Sequence, residues 1–161
     1  MSSPRARLGI WLLVALLLLT HFVLHIGFSY GRGAPDLLTL ALLIGVREIG
    51  LARAAVLGLV FGLLEDAMSV LAFGANAIAM TMVAVGGAAT RDLFVGDSRL
   101  FLPSYVFFGK WIRDLVHWIA VGEGVRQPFV EQVVVQGGIA SLYVAAVGVA
   151  LGVVLGLGRE A

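Results

Sequence analysis

Cysteine is absent from this 161-residue chain, so disulfides, thiolate metal centres and cysteine nucleophiles are excluded. Charge is scarce as well. The 11 Lys+Arg and 10 Asp+Glu make up 13% of the residues, against about a quarter in an ordinary soluble domain. The P-loop pattern G-x-x-x-x-G-K-[ST] and the G-x-S-x-G elbow are both missing, which argues against nucleotide-driven energy coupling in this chain. A formal net charge of +1 points to no nucleic-acid partner.

What is present is hydrophobicity. The chain is 60% hydrophobic with a mean hydropathy of +1.02, which excludes a water-soluble globule, a disordered chain and a disulfide scaffold. Residues 8–31 and 67–90 are uncharged runs of 24, and residues 132–158 a run of 27. Each exceeds the roughly 20 residues with which a helix crosses about 30 Å of hydrocarbon. A β-barrel is disfavoured because the apolar runs lack dyad alternation. The expectation is an all-α polytopic membrane protein, a single domain folded as a six-helix bundle.

Charge, Gly and Pro divide the chain into six spans, near 8–29, 35–46, 53–70, 75–91, 100–121 and 129–157. Arg5 and Arg7 resemble the basic head of a signal peptide, but the run behind them is longer than ~7–15 residues, so an uncleaved first span is expected. The second span is short. Pro35 suits its first helical position and Asp36 its first turn, beside the positive end of the helix dipole. Basic residues favour cytoplasmic loops. With both termini inside, Arg5, Arg7, Arg47, Arg53, Arg91, Arg99 and Arg159 are cytoplasmic, and only Arg32 and Arg126 lie outside. A five-span arrangement would put the C-terminus outside, against Arg159.

Small residues at four-residue spacing form two strips, Gly58 and Gly62 in the third span and Gly148, Gly152 and Gly156 in the last. Such strips let membrane helices approach closely. They serve either the protein's own packing or, on the last span, a partner's helix. In the fifth span Lys110, Arg113, Asp114 and His117 stand at i, i+3, i+4 and i+7, on one helix face. Charge in the hydrocarbon is costly, so these side chains face the interior, a watery cavity or a partner. Asp114 can neutralise Lys110, and Glu65 or Asp66 can serve Arg113. The stripe is read as a structural ion-pair network or as a polar cavity or proton relay. A shallow fifth span, with Trp111 and Trp118 in the interface, is the third option. Adjacent on a helix, Glu65 and Asp66 point about 100° apart and form no catalytic dyad. His21 and His25 at i, i+4 lack a third ligand nearby, so no metal or other cofactor is expected.

Three stretches carry a resemblance. They are Pro35-Asp36-Leu37-Leu38, then Arg53 to Ser69 with Gly58, Gly62, Leu63, Leu64, Asp66 and Ser69, then Phe73-Gly74-Ala75-Asn76. Together they resemble the MreD family of bacterial rod-shape-determining membrane proteins, whose pattern is a P-D second span, an arginine-bearing loop, a G-x-x-x-G-L-L-x-D-x-x-S third span and a glycine turn into the fourth. The resemblance covers residues 30 to 92; the second half of the chain is too generic to add to it.

It implies a fold similar to the S component of energy-coupling-factor vitamin transporters. It implies a non-enzymatic scaffold in the inner membrane that binds MreC and connects it to MreB and the RodA–transpeptidase synthase, with a homo-oligomer also compatible. By the same carry-over Pro35, Asp36, Gly58, Gly62, Asp66, Ser69 and Gly74 are family-matched positions. The stripe from Lys110 to His117 has no match in the pattern. The rival reading is a solute-binding subunit of a vitamin transporter, and a third is an intramembrane lipid-modifying enzyme, for which no convergent His/Asp/Glu constellation can be assembled.

Overall fold

The second helix explains the rest of the architecture. In the computed structural model, which describes residues 4–27, 35–69, 72–90 and 101–154, α2 runs only from Leu37 to Gly45 and continues as a 3-10 turn, Val46–Glu48. At about 1.5 Å per α-helical and 2.0 Å per 3-10 residue this is about 20 Å, well short of a bilayer's hydrocarbon. The shortness is tolerated because the helix meets no solvent or lipid. Every residue from Leu37 to Leu43 is buried, with α1, α3, α4, α5 and α6 all packed against this element.

Its start corrects the expectation for Pro35 and Asp36. Pro35 precedes the helix, and Asp36 is its N-cap, accepting from the Thr39 amide at 2.9 Å. Capping by a side-chain oxygen satisfies an amide that the first turn leaves without an intrahelical partner. At the other end the Tyr105 hydroxyl donates to the Leu43 carbonyl at 3.0 Å.

Around this axis stand α1 (Pro4–Gly27), α3 (Leu51–Asp66), α4 (Ala75–Thr90), α5 (Phe101–Ala120) and α6 (Gly137–Val154). A π-helical stretch, Val130–Gln136, leads without a break into α6, so the last expected span is one run that begins in π geometry. The third stops at Asp66 rather than 70, where successive tightened hydrogen bonds end it, Met68 N–H to Glu65 O and Ser69 N–H to Asp66 O. Among the described residues, two helical stretches are long and apolar enough to cross a membrane, Arg7–His25 and Val130–Val154.

Polarity is inverted relative to a soluble protein. Leu8, Leu12, Leu16, Leu19 and Val23 of α1 are exposed, as are Ile139, Leu142 and Val153 of α6, while Lys110, Arg113, Asp66 and Asn76 are buried. An exposed apolar mantle around buried charge is what a hydrocarbon solvent selects.

Candidate functional site

The buried charges gather where three helix ends meet the middle of α5. The 3.6-residue period puts Lys110, Arg113 and Asp114 on one face of α5. Facing them are the N-cap of α2, the last turn of α3 and the first turn of α4. Asp114 Oδ2 lies 2.6 Å from Lys110 Nζ, and Asp114 Oδ1 is 3.1 Å from Arg113 Nη1. Lys110 also approaches Asp36 Oδ2 at 3.5 Å. Arg113 Nη2 donates to Glu65 Oε1 and to the Asn76 side-chain carbonyl, both at 2.6 Å. Two cations are thus shared among Asp36, Glu65 and Asp114, and four helices are tied by charge-assisted bonds, roughly twice as strong as neutral ones. Removing one member leaves its partners buried and uncompensated.

Asp66 takes no part in that network, which corrects its candidacy as a partner of Arg113. It turns toward the next helix instead. Fully buried, it accepts from the amides of Gly74 at 2.9 Å, Asn76 at 3.1 Å and Ala77 at 3.0 Å. One carboxylate therefore caps the start of α4, where free amides and the helix dipole both favour negative charge. Gly74 sits at φ +95°, a conformation that costs an L side chain roughly 1–2 kcal/mol. Asp66 and Gly74 thus form one device that closes the α3–α4 hairpin.

The glycines of α3 complete it. A Cβ on Gly58 would lie 2.6 Å from the Met80 carbonyl oxygen, and one on Gly62 would lie 2.6 Å from the Ala77 amide nitrogen, so α3 and α4 touch backbone to backbone. In the last helix the strip also faces inward. A Cβ on Gly148 would meet Leu40 at 3.2 Å, and one on Gly152 would meet Leu102 at 3.1 Å. This corrects the reading of that strip as a surface for a partner helix, because α2 and α5 already occupy it. Gly156 lies outside the described residues, as do Arg32, Arg91, Arg99 and Arg159 of the charge-bias argument.

No family model matches the chain. No curated protein and no solved structure matches it either.

The remaining polar groups border the network. His117 lies one turn beyond Arg113 and Asp114 on α5. His21 and His25 stack with ring centroids 4.2 Å apart, and with Phe22, Glu65 and Met68 they line a cavity of about 40 Å³, which is room for one or two waters. Among the described residues no group of three or more His, Asp or Glu is placed to hold a metal ion. The π-helical stretch has a structural use here: the Trp111 indole N–H donates to the Val133 carbonyl at 3.0 Å, and a Cβ on Gly137 would lie 3.5 Å from Asp114 Oδ2. Trp118 donates to the Gln127 carbonyl at 2.9 Å and stacks under Arg126, whose guanidinium lies 4.4 Å from its ring centroid.

Asn76 and Thr39 are the members that sequence reasoning missed. A polar residue three positions after Asp36 was a legible capping signal for Thr39. Nothing local marked Asn76, which meets Arg113 only through the fold.

Proposed function

We propose that this chain is a multi-pass protein of the bacterial inner membrane, with cytoplasmic termini, that works as a non-enzymatic scaffold of the cell-wall elongation complex, as the resemblance to MreD implies. The observation that supports it best is the state of the interior. Asp36, Glu65, Lys110, Arg113 and Asp114 pair with one another and Asp66 caps α4, which favours rigidity and register over turnover, while Glu65 Oε2, Arg113 Nε and His117 Nδ1 stay buried without a hydrogen-bond partner. A solute-binding subunit would instead keep several such groups open toward a polar cavity.

With the glycine strips engaged internally, a partner helix is left with the outer faces. The face of α1 is the best suited of these. Leu8, Leu12, Leu16, Leu19 and Val23, 58–63% exposed, recur at steps of four, four, three and four, which keeps them on one face of the helix at its 3.6-residue period. The membrane helix of MreC docks there in this reading.

Affinity purification of the tagged protein from native membranes in mild detergent, with mass spectrometry of proteins and small molecules, tests it. Recovery of MreC and synthase components without a stoichiometric solute is the expected result. A vitamin-like molecule recovered with an ATPase module overturns the scaffold reading in favour of the transporter subunit.

A further inference from the structure

A second cavity, of about 360 Å³, lies between α4 and α5 and belongs to none of the above. It is partly open sideways, and its outer rim carries Met82, Phe108 and Ile112, all well exposed. Gly86, Gly87 and Gly109 line it; a Cβ on Gly86 would meet nothing within 4 Å, whereas Gly87 and Gly109 admit the Tyr105 hydroxyl and the Leu43 side chain, each 2.7 Å from where a Cβ would stand.

The groove is polarised along its length. Gly87 of α4 lies level with Tyr105 of α5, so the antiparallel pair runs from Thr90 and Phe101 at one end to Met82 and Ile112 at the other. Among the described residues the first end carries Arg47, whose guanidinium lies over the rings of Phe101 and Tyr105, 4.9 and 5.7 Å from their centroids. The other end is wholly apolar. The eight residue steps from Met82 to Thr90 span about 12 Å, close to the roughly 15 Å depth of one leaflet's hydrocarbon. The groove is lined almost wholly by apolar groups of α4 and α5, which suits a hydrocarbon chain.

We propose that this groove binds one acyl chain of an anionic phospholipid, whose headgroup phosphate is held by Arg47 at the mouth. Arg47 supplies planar donors suited to a phosphate, and stacking on two rings presets its position. The end that carries Arg47 is the one at which α1 begins, the cytoplasmic end in the orientation proposed above, where anionic lipid attracts basic side chains. The inference rests on that membrane reading but not on the identity of any protein partner.

The test is lipid analysis of the detergent-purified protein, exchanged into mixed micelles holding equal phosphatidylglycerol and phosphatidylcholine. Native mass spectrometry then counts the lipids retained per chain. Wild type is expected to retain one, with about fivefold enrichment of phosphatidylglycerol, the preference that one basic side chain confers beside an anionic headgroup. Gly86→Leu fills the groove from a position with free space and is expected to lose the lipid while melting no lower than wild type. Arg47→Gln is expected to retain a lipid without the anionic preference. Equal retention by wild type and Gly86→Leu overturns the proposal, as does a polypeptide in place of the lipid. Solubility without detergent, scored on the same preparation, overturns the membrane reading with it; a detergent-dependent chain that retains no lipid overturns the groove alone.

Discussion

Replacing Asp66 with alanine removes the acceptor of three amides at once, those of Gly74, Asn76 and Ala77. An ordinary N-cap is worth about 0.5–2 kcal/mol, and a hydrogen bond to a charged group about 1.5–3 kcal/mol. Three bonds to one carboxylate are not additive, because the amides share its charge. The side chain is also fully buried, so water reaches the stranded amides only by opening the α3–α4 turn. These limits place the loss at about 3 kcal/mol, a large part of a stability that is typically about 5–15 kcal/mol. Asp66→Asn keeps one acceptor and turns an N–H₂ group toward amide donors, so it is expected to lose about 2 kcal/mol. Reversible unfolding by SDS in mixed micelles, followed by tryptophan fluorescence and circular dichroism, reads these differences. Val153→Ala, at a position 74% exposed on α6, is the control and should shift the midpoint by less than about 0.5 kcal/mol. A loss below about 1 kcal/mol for Asp66→Ala, no more than one ordinary cap, would refute the assignment of Asp66 as the lock of this hairpin.

Three further outcomes follow from the same packing. Arg113→Met strands Glu65 and Asn76, while Asp114 keeps Lys110, and is expected to cost about 3–5 kcal/mol, with at least 1 kcal/mol regained in the Arg113→Met/Glu65→Gln double variant; additive losses in the SDS titration would contradict the coupling. Gly62→Ala drives a methyl group into the backbone of Ala77 and should abolish a cooperative melt, whereas Gly86→Ala, in open space, should raise stability by up to about 1 kcal/mol through helix propensity. Gly152→Leu crowds Leu102 and should cost about 1–3 kcal/mol while leaving MreC recovery unchanged; loss of MreC at unchanged stability would restore the last glycine strip as the docking face.

Among the described residues, the helices, their bounds to within a few residues, and the common face of Lys110, Arg113 and Asp114 were legible because they depend on local period and composition alone. Pairing across the chain was legible only in part: a third-span carboxylate was expected beside Arg113, but not which one. Glu65 and Asp66 are adjacent carboxylates of similar chemistry, yet one reaches Arg113 of α5 and the other caps α4. A rotation of about 100° per residue separates them, and which of them faces which neighbour is set by the backbone contact at Gly58 and Gly62. The glycine strips showed close approach in the sequence without showing to what. The short second span was equally ambiguous, since ten uncharged residues fit an interfacial, a re-entrant or a fully enclosed helix.

Composition by itself determined that this protein is helical and apolar on the outside, because so few charged groups cannot cover a surface in water. Only the tertiary structure decided that α2 is enclosed and that its N-cap joins the ion-pair network. It also decided that the last glycine strip faces inward and that a groove stays open beside Gly86. Each of these depends on the relative rotation of helices distant in sequence, and that rotation is chosen by the packing of all of them together rather than by the pattern of any one.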